Sequence, residues 1–161
     1  MKHLCMFLTV LTCLLCCNGC STKEEPVVFY YPEAEISYHS DTGILCPEAR
    51  DSLSRDNSIS YLLSFYLEGP IDPSLRLPVP EGTQLLRLIP YDGGVLLVMS
   101  REFSQLEDMD LTIACASISQ TCFGLTDLQE ITFAVRTQKN VIRTVQRDSI
   151  VLTDTVTQPT E

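Results

Sequence analysis

Five of the eight cysteines lie within the first twenty positions (Cys5, Cys13, Cys16, Cys17 and Cys20), and that distribution decides how this chain of 161 residues can hold itself together. A disulfide framework needs cysteines spread through the folded body. Only Cys46, Cys115 and Cys122 remain there, an odd number with no CxxC pair and no histidine cluster. Neither a stapled scaffold nor a zinc site follows from such a set. The fold must therefore rest on a hydrophobic core, which 45% hydrophobic residues can supply, and one domain is the default at this length.

The crowded first twenty residues have another purpose. Lys2 gives a short basic start, Leu4 to Cys17 is a mostly apolar run of about 14 residues, and Asn18 and Gly19 are polar or small. This is the pattern of an export signal over residues 1–19. The run falls short of the roughly 18 to 20 residues that a helix needs to cross the hydrocarbon layer. Its end, Cys17-Asn18-Gly19-Cys20-Ser21, resembles a bacterial lipoprotein signal, in which a small residue precedes the cysteine that is lipidated and becomes the new N-terminus. Cys17 stands where such signals usually carry an aliphatic residue, and the alternative is ordinary secretory cleavage nearby. Acylated Cys20 would hold the protein to membrane lipid, since each buried CH₂ contributes about 0.8 kcal/mol and two or more chains anchor stably. The expected place is the outer face of the bacterial cytoplasmic membrane, with residues 20–26 as a lipidated tether.

Beyond the tether the order of elements can be read from periodicity and punctuation. Val27-Val28-Phe29-Tyr30-Tyr31, ended by Pro32, reads as a buried strand. Ser37 to Ser54 looks extended, interrupted by the turn signal Asp41-Thr42-Gly43. Asn57 or Ser58 can cap a helix over Ile59 to Glu68, which Gly69-Pro70 stops. Ile71 to Gly82, with three prolines, is a connecting loop. Thr83 to Pro90 and Val95 to Ser100 then form two strands joined at Tyr91-Asp92-Gly93-Gly94. A second helix is expected from Glu107 to Phe123, ended by Gly124, with Leu111, Ala114, Cys115, Ile118 and Cys122 on one apolar stripe. Cys115 and Cys122 are about 10 Å apart along such a helix and cannot bridge each other, although either could meet Cys46. Asp127 to Val135 reads as another strand, and Val141 to Leu152 as a further one before a polar tail.

Charge narrows the functions. Setting aside Lys2, 10 basic residues face 21 acidic ones, a formal charge of −11. Nucleic acid is excluded as a partner, because phosphate affinity comes mainly from Lys and Arg. Against this background Arg136, Lys139, Arg143 and Arg147 form one basic run without an acid among them. Two readings stand: an edge strand protected from aggregation by its charges, or a contact with an anionic bilayer or acidic partner.

The sequence also resembles the GerMN domain of sporulation and spore-germination lipoproteins. Leu45-Cys46-Pro47-Glu48-Ala49-Arg50 is similar to that family's Glu-x-Arg strand, and Leu62 to Pro70 to its helix with a Gly-Pro stop, here Gly69-Pro70. Pro80-Glu81-Gly82-Thr83-Gln84-Leu85-Leu86 resembles its P-x-G-T-x-L-L lead into a hairpin, and Asp92-Gly93-Gly94 through Ser100-Arg101-Glu102-Phe103 its D-G…S-x-x-F continuation. Val98 departs from a frequent Asp, and Arg136-Thr137-Gln138-Lys139 lacks an Asp-Gly turn. The resemblance covers residues 27–136 and leaves 137–161 as a basic possible strand and polar tail. It implies a small α+β domain, a single mixed sheet with two helices related to ring-building modules, and a scaffold role without catalysis.

The residues themselves offer little chemistry. His39, the one histidine after the leader, is expected on a surface loop, and no nucleophile elbow is present. Gly93-Gly94 lacks the Gly-Lys-Ser/Thr of a phosphate loop, and the calcium loop pattern is missing. Carboxylates abound, but acid-rich surfaces are usually solvated, and Glu48 with Arg50 is expected to form a structural ion pair. No catalytic residue, cofactor or metal is assigned. The leading expectation is a lipid-anchored protein that acts by contacts with envelope proteins or its own copies. A lipoprotein binding a small peptide or glycan fragment, and a cell-wall hydrolase, are the alternatives.

Overall fold

The computed structural model describes residues 25–35, 44–136 and 141–150. The leader, Cys20, most of the tether, His39, the Asp41-Thr42-Gly43 turn, Lys139 and the polar tail lie outside them.

The elements follow in the order β1 (Val27–Pro32), β2 (Leu45–Arg50), α1 (Ile59–Leu67), β3 (Leu85–Tyr91), β4 (Gly94–Met99), α2 (Asp108–Leu125), β5 (Glu130–Val135) and β6 (Val141–Gln146). Short 3₁₀ turns occupy Arg101–Gln105 and Arg147–Ser149. Strands β3-β4-β5-β6 form a mixed sheet in that order, with β4 and β5 parallel and the other pairs antiparallel. Parallel neighbours need a crossover, and α2 is that crossover.

The expected single sheet is instead two, because β1 and β2 form a separate antiparallel ribbon. The reason lies in the outer edge of β1. The Tyr30 N–H donates to Thr121 Oγ1 at 2.9 Å, and Ser117 Oγ donates to the Tyr30 carbonyl. Two hydroxyls one turn apart on α2 thus occupy the backbone groups that another strand would have used. Both Tyr30 groups point away from β2, so its register partner Pro47 also turns its nitrogen outward, where the missing N–H leaves no bond unmade.

Helix α2 consequently lies between ribbon and sheet. From Ile113 to Phe123 every residue except Ala116 and Gln120 is buried, Ser117, Ser119 and Thr121 included, so the single apolar stripe is only part of its contact surface. Val95, Leu97 and Met99 of β4 and Ile131, Phe133 and Val135 of β5 meet it on the inner face of the sheet. Phe103, set by the first 3₁₀ turn, stacks on Phe133 with centroids 5.8 Å apart. Tyr31 stacks on Tyr66 of α1 at 4.6 Å and donates to the Tyr66 carbonyl at 2.9 Å.

Turn chemistry fixes the connections. The Ser58 side chain caps α1 by accepting from the Tyr61 N–H, and Gly69 takes φ +99° just beyond its end. In the hairpin only Gly93 takes positive φ, at +75°, while Asp92 does not. Pro80 to Thr83 is a turn whose Thr83 N–H and hydroxyl both bond the Pro80 carbonyl, at 3.1 and 2.7 Å. Gly124 does not stop α2: the helix runs on to Leu125, and Thr126 closes it.

Candidate interaction surface

The residues singled out by sequence fall into two structural groups. In the first, Glu48 and Arg50 project from the same face of β2 and pair at 2.6 Å, each side chain only 11% exposed. Glu48 Oε2 also accepts from the N–H groups of Ile71 and Asp72 at 2.8 Å, and Arg50 Nη2 donates to the Gly69 carbonyl at 2.9 Å. Arg50 lies over the Phe29 ring, 5.5 Å from its centroid. The pair therefore fastens the segment after α1, Gly69 included, onto the ribbon, with both Glu48 oxygens and Arg50 Nε and Nη2 engaged.

The second group gathers at the C-terminal end of α2, where the last carbonyls of a helix lack intrahelical partners and carry the negative end of its dipole. Arg147 donates to the carbonyls of Phe123 (3.1 Å), Thr126 and Leu128 (2.8 Å), with its guanidinium 4.9 Å from the Phe123 ring centroid. Arg55, which carries no local sequence signal for this, donates to the Gly124 carbonyl at 2.7 Å and pairs with Glu25, just before β1, at 2.5 Å. Two guanidiniums from distant parts of the chain thus cap one helix. Arg143 donates to Thr112 Oγ1 at 2.7 Å on the helix-covered side of β6. Arg136 is exposed after β5, and Lys139 is outside the described residues. The basic run is therefore divided: Arg143 and Arg147 face α2, and Arg136 faces solvent.

Beside the capped end of α2 runs an open groove of about 500 Å³. Leu62 of α1, Leu88 and Val95 of the hairpin, and Leu125 and Leu128 form its apolar walls. Arg55, Asn57, Thr126 and Asp127 supply its polar groups. No sequence periodicity marks this groove, because its walls come from three separate segments.

Chemically reactive groups are subdued elsewhere. The three thiols are free, and burial pushes Cys115 and Cys122 up to about 12, with the Arg143 charge partly opposing this at Cys115. Cys46 is also raised, by partial burial and by Glu33, which accepts from its thiol. Burial raises Tyr91 as well, and its hydroxyl donates to Glu130 Oε1 at 2.6 Å. Among the described residues no group of His, Cys, Asp and Glu is arranged to hold a metal. No described helix is long and apolar enough to cross a membrane.

A ribbon and a four-stranded mixed sheet enclosing one long helix, with a short second helix, is an α+β arrangement, and it is the GerMN fold. The chain is similar to the tandem GerMN domains of the sporulation protein GerM from Bacillus subtilis, with a TM-score of 0.53 and 19% identity over 71% of this chain and 39% of that one. The first GerMN domain of the same protein gives a TM-score of 0.51 and 16% identity, over 68% of this chain and 83% of that one. This chain spans about two-fifths of the tandem structure. No family model matches the sequence, and no curated protein does.

Proposed function

We propose that this is a non-enzymatic, lipid-anchored envelope protein that acts through protein contacts in sporulation, germination or envelope assembly. The observation that carries the reading is the fold it shares with the GerMN domains of a sporulation protein. The leader ending at Cys20 supports the anchor, through which membrane lipid is the first partner and the outer face of the cytoplasmic membrane the location. Envelope proteins or further copies of the chain are the remaining partners. The chemistry of the described residues agrees with a scaffold: the Glu48–Arg50 pair is committed to backbone groups, and burial holds the thiols of Cys115 and Cys122 protonated.

Two measurements test this. Metabolic labelling with palmitate should mark the chain and vanish in Cys20→Ser, and label that persists without Cys20 would refute the anchor. Crosslinking of the anchored chain in its native cell, followed by identification of what is attached, should return envelope proteins. Turnover of peptidoglycan fragments, peptides or esters that one Ala change at Glu48, Asp92 or Glu102 abolishes in a still-folded chain would replace the scaffold with a hydrolase.

A further inference from the structure

The groove beside the end of α2 combines three features that belong together in a recognition site. Its volume of about 500 Å³ lies in the range of roughly 300 to 1,000 Å³ typical of sites for small ligands. Its walls are apolar. At its rim stands a guanidinium whose position is fixed, because Arg55 Nη2 is held by the Gly124 carbonyl. The other arm of Arg55 faces Glu25, whose side chain is 78% exposed. An ion pair so open to water is easily exchanged for another carboxylate.

We propose that this groove docks the C-terminal end of an apolar peptide, its free carboxylate replacing Glu25 on Arg55. Charge complementarity selects the carboxylate, since a guanidinium can donate two parallel hydrogen bonds to its oxygens. Asp127 also lines the groove and repels an anion, which assigns the carboxylate to the Arg55 end and the apolar side chains to Leu62, Leu88, Val95 and Leu128. A peptide fits better than a fatty acid because Asn57 also lines the groove, and its side-chain amide can bond peptide groups but would be left unpartnered against an acyl chain. The positive end of α1, marked by Asn57 and Ile59, lies at the same rim and favours the same charge. Glu25 belongs to the tether, so binding at the groove releases the tether from the domain. The inference supplies the partner chemistry for the scaffold reading above and rests on it.

The test uses the full chain in detergent and the probe acetyl-Val-Leu-Leu, prepared as the free acid and as the C-terminal amide. The acid should shift the amide resonances of Ile59, Gly93 and Leu128 and bind about tenfold or more tightly than the amide, as loss of a charge-assisted hydrogen bond implies. Glu25→Gln should tighten acid binding, and Arg55→Gln should bring acid and amide to equal affinity. The acid-against-amide comparison on the unaltered chain needs no variant, so unfolding of Arg55→Gln cannot rescue the idea. Equal binding of the two forms, no binding, or shifts confined to another surface overturns it. Binding that appears only after residues 151–161 are removed would make the groove a seat for the chain's own tail, and a decanoate probe that outcompetes the peptide would make it a lipid site; either overturns the proposal. Envelope partners crosslinked equally well in Arg55→Gln, with no peptide binding, would overturn the groove and leave the scaffold standing. Peptide binding without any envelope partner would do the reverse.

Discussion

Ser117 on α2 donates to the Tyr30 carbonyl on β1 and so leaves its oxygen to accept from the Tyr66 hydroxyl, 2.7 Å away. One hydroxyl thereby joins strand, long helix and short helix, and Tyr66 is raised well above its usual pKa, mainly by burial. Two residues along the helix, Ser119 Oγ is the one buried side-chain polar atom without a partner among the described residues. The two serines should therefore respond in opposite directions to the same change. Ser117→Ala should destabilise by about 1 to 3 kcal/mol, because it strands a buried carbonyl and a buried phenol. Ser119→Ala should be neutral or stabilise by about 1 kcal/mol. Urea unfolding midpoints of both variants decide, and equal losses would show that Ser119 has a partner after all.

Arg147 and Arg136 provide a second contrast. Arg147→Met keeps much of the stem over Phe123 but leaves three carbonyls uncapped, and should destabilise by about 1 to 3 kcal/mol. Arg136→Ser, at an exposed turn, should stay within about 0.5 kcal/mol of the parent. Hydrogen exchange adds a spatial readout, since the Arg147 variant should lose protection first at the end of α2.

Gly69 tests whether backbone conformation or space limits a site. A Cβ there would come only to 3.9 Å from Leu77 Cβ, so there is room, but φ is +99°. Gly69→Val should cost about 1 to 3 kcal/mol through strain alone, and Gly69→Asn clearly less. A Val variant as stable as the parent would mean that Arg50 and Glu48 can follow a rearranged segment.

The buried thiols give a pH dependence. Cys115 and Cys122 rise from an ordinary value near 9 to about 12 in the fold. Their contribution is present in full below pH 9 and is lost as pH climbs toward 12, because the unfolded chain ionises first and draws the equilibrium toward itself. The slope should be on the order of 1 kcal/mol per pH unit per thiol between those limits. Denaturation midpoints at pH 8, 9 and 10 should fall, and Cys115→Ala should flatten the decline even if it lowers the starting stability. Native iodoacetamide labelling at pH 8 should be slow at both positions, and rapid alkylation of either would contradict its burial.

What could be read from sequence was whatever is encoded locally. Ser58 and Gly69 bracket α1, Gly93 turns the hairpin, and β-branched runs mark β1 and β4. The motifs Glu48-x-Arg50 and Pro80 to Thr83 were visible as well, and the α+β fold came from the family resemblance that they carry. The rest depends on partners far apart in sequence. Arg147 caps Phe123 from 24 residues away, and Arg55 reaches Gly124 across 69, so neither helix-capping role leaves a local trace. Apolar periodicity described one face of α2 but missed Ser117 and Thr121, because hydroxyls that stand in for a neighbouring strand look like ordinary surface residues. That same substitution explains why two sheets form where one was expected.

The hydroxyl-bound edge of β1 also has a mechanical meaning. If the chain is anchored through Cys20, as proposed, tension from the anchor reaches β1 before any other strand or helix. A pull along the strand axis loads the whole ribbon register together with the two bonds to α2, in shear, whereas peeling would break them one by one. Because Ser117 and Thr121 belong to the longest helix, which is buried between ribbon and sheet, the strain passes into the core and does not end at the ribbon.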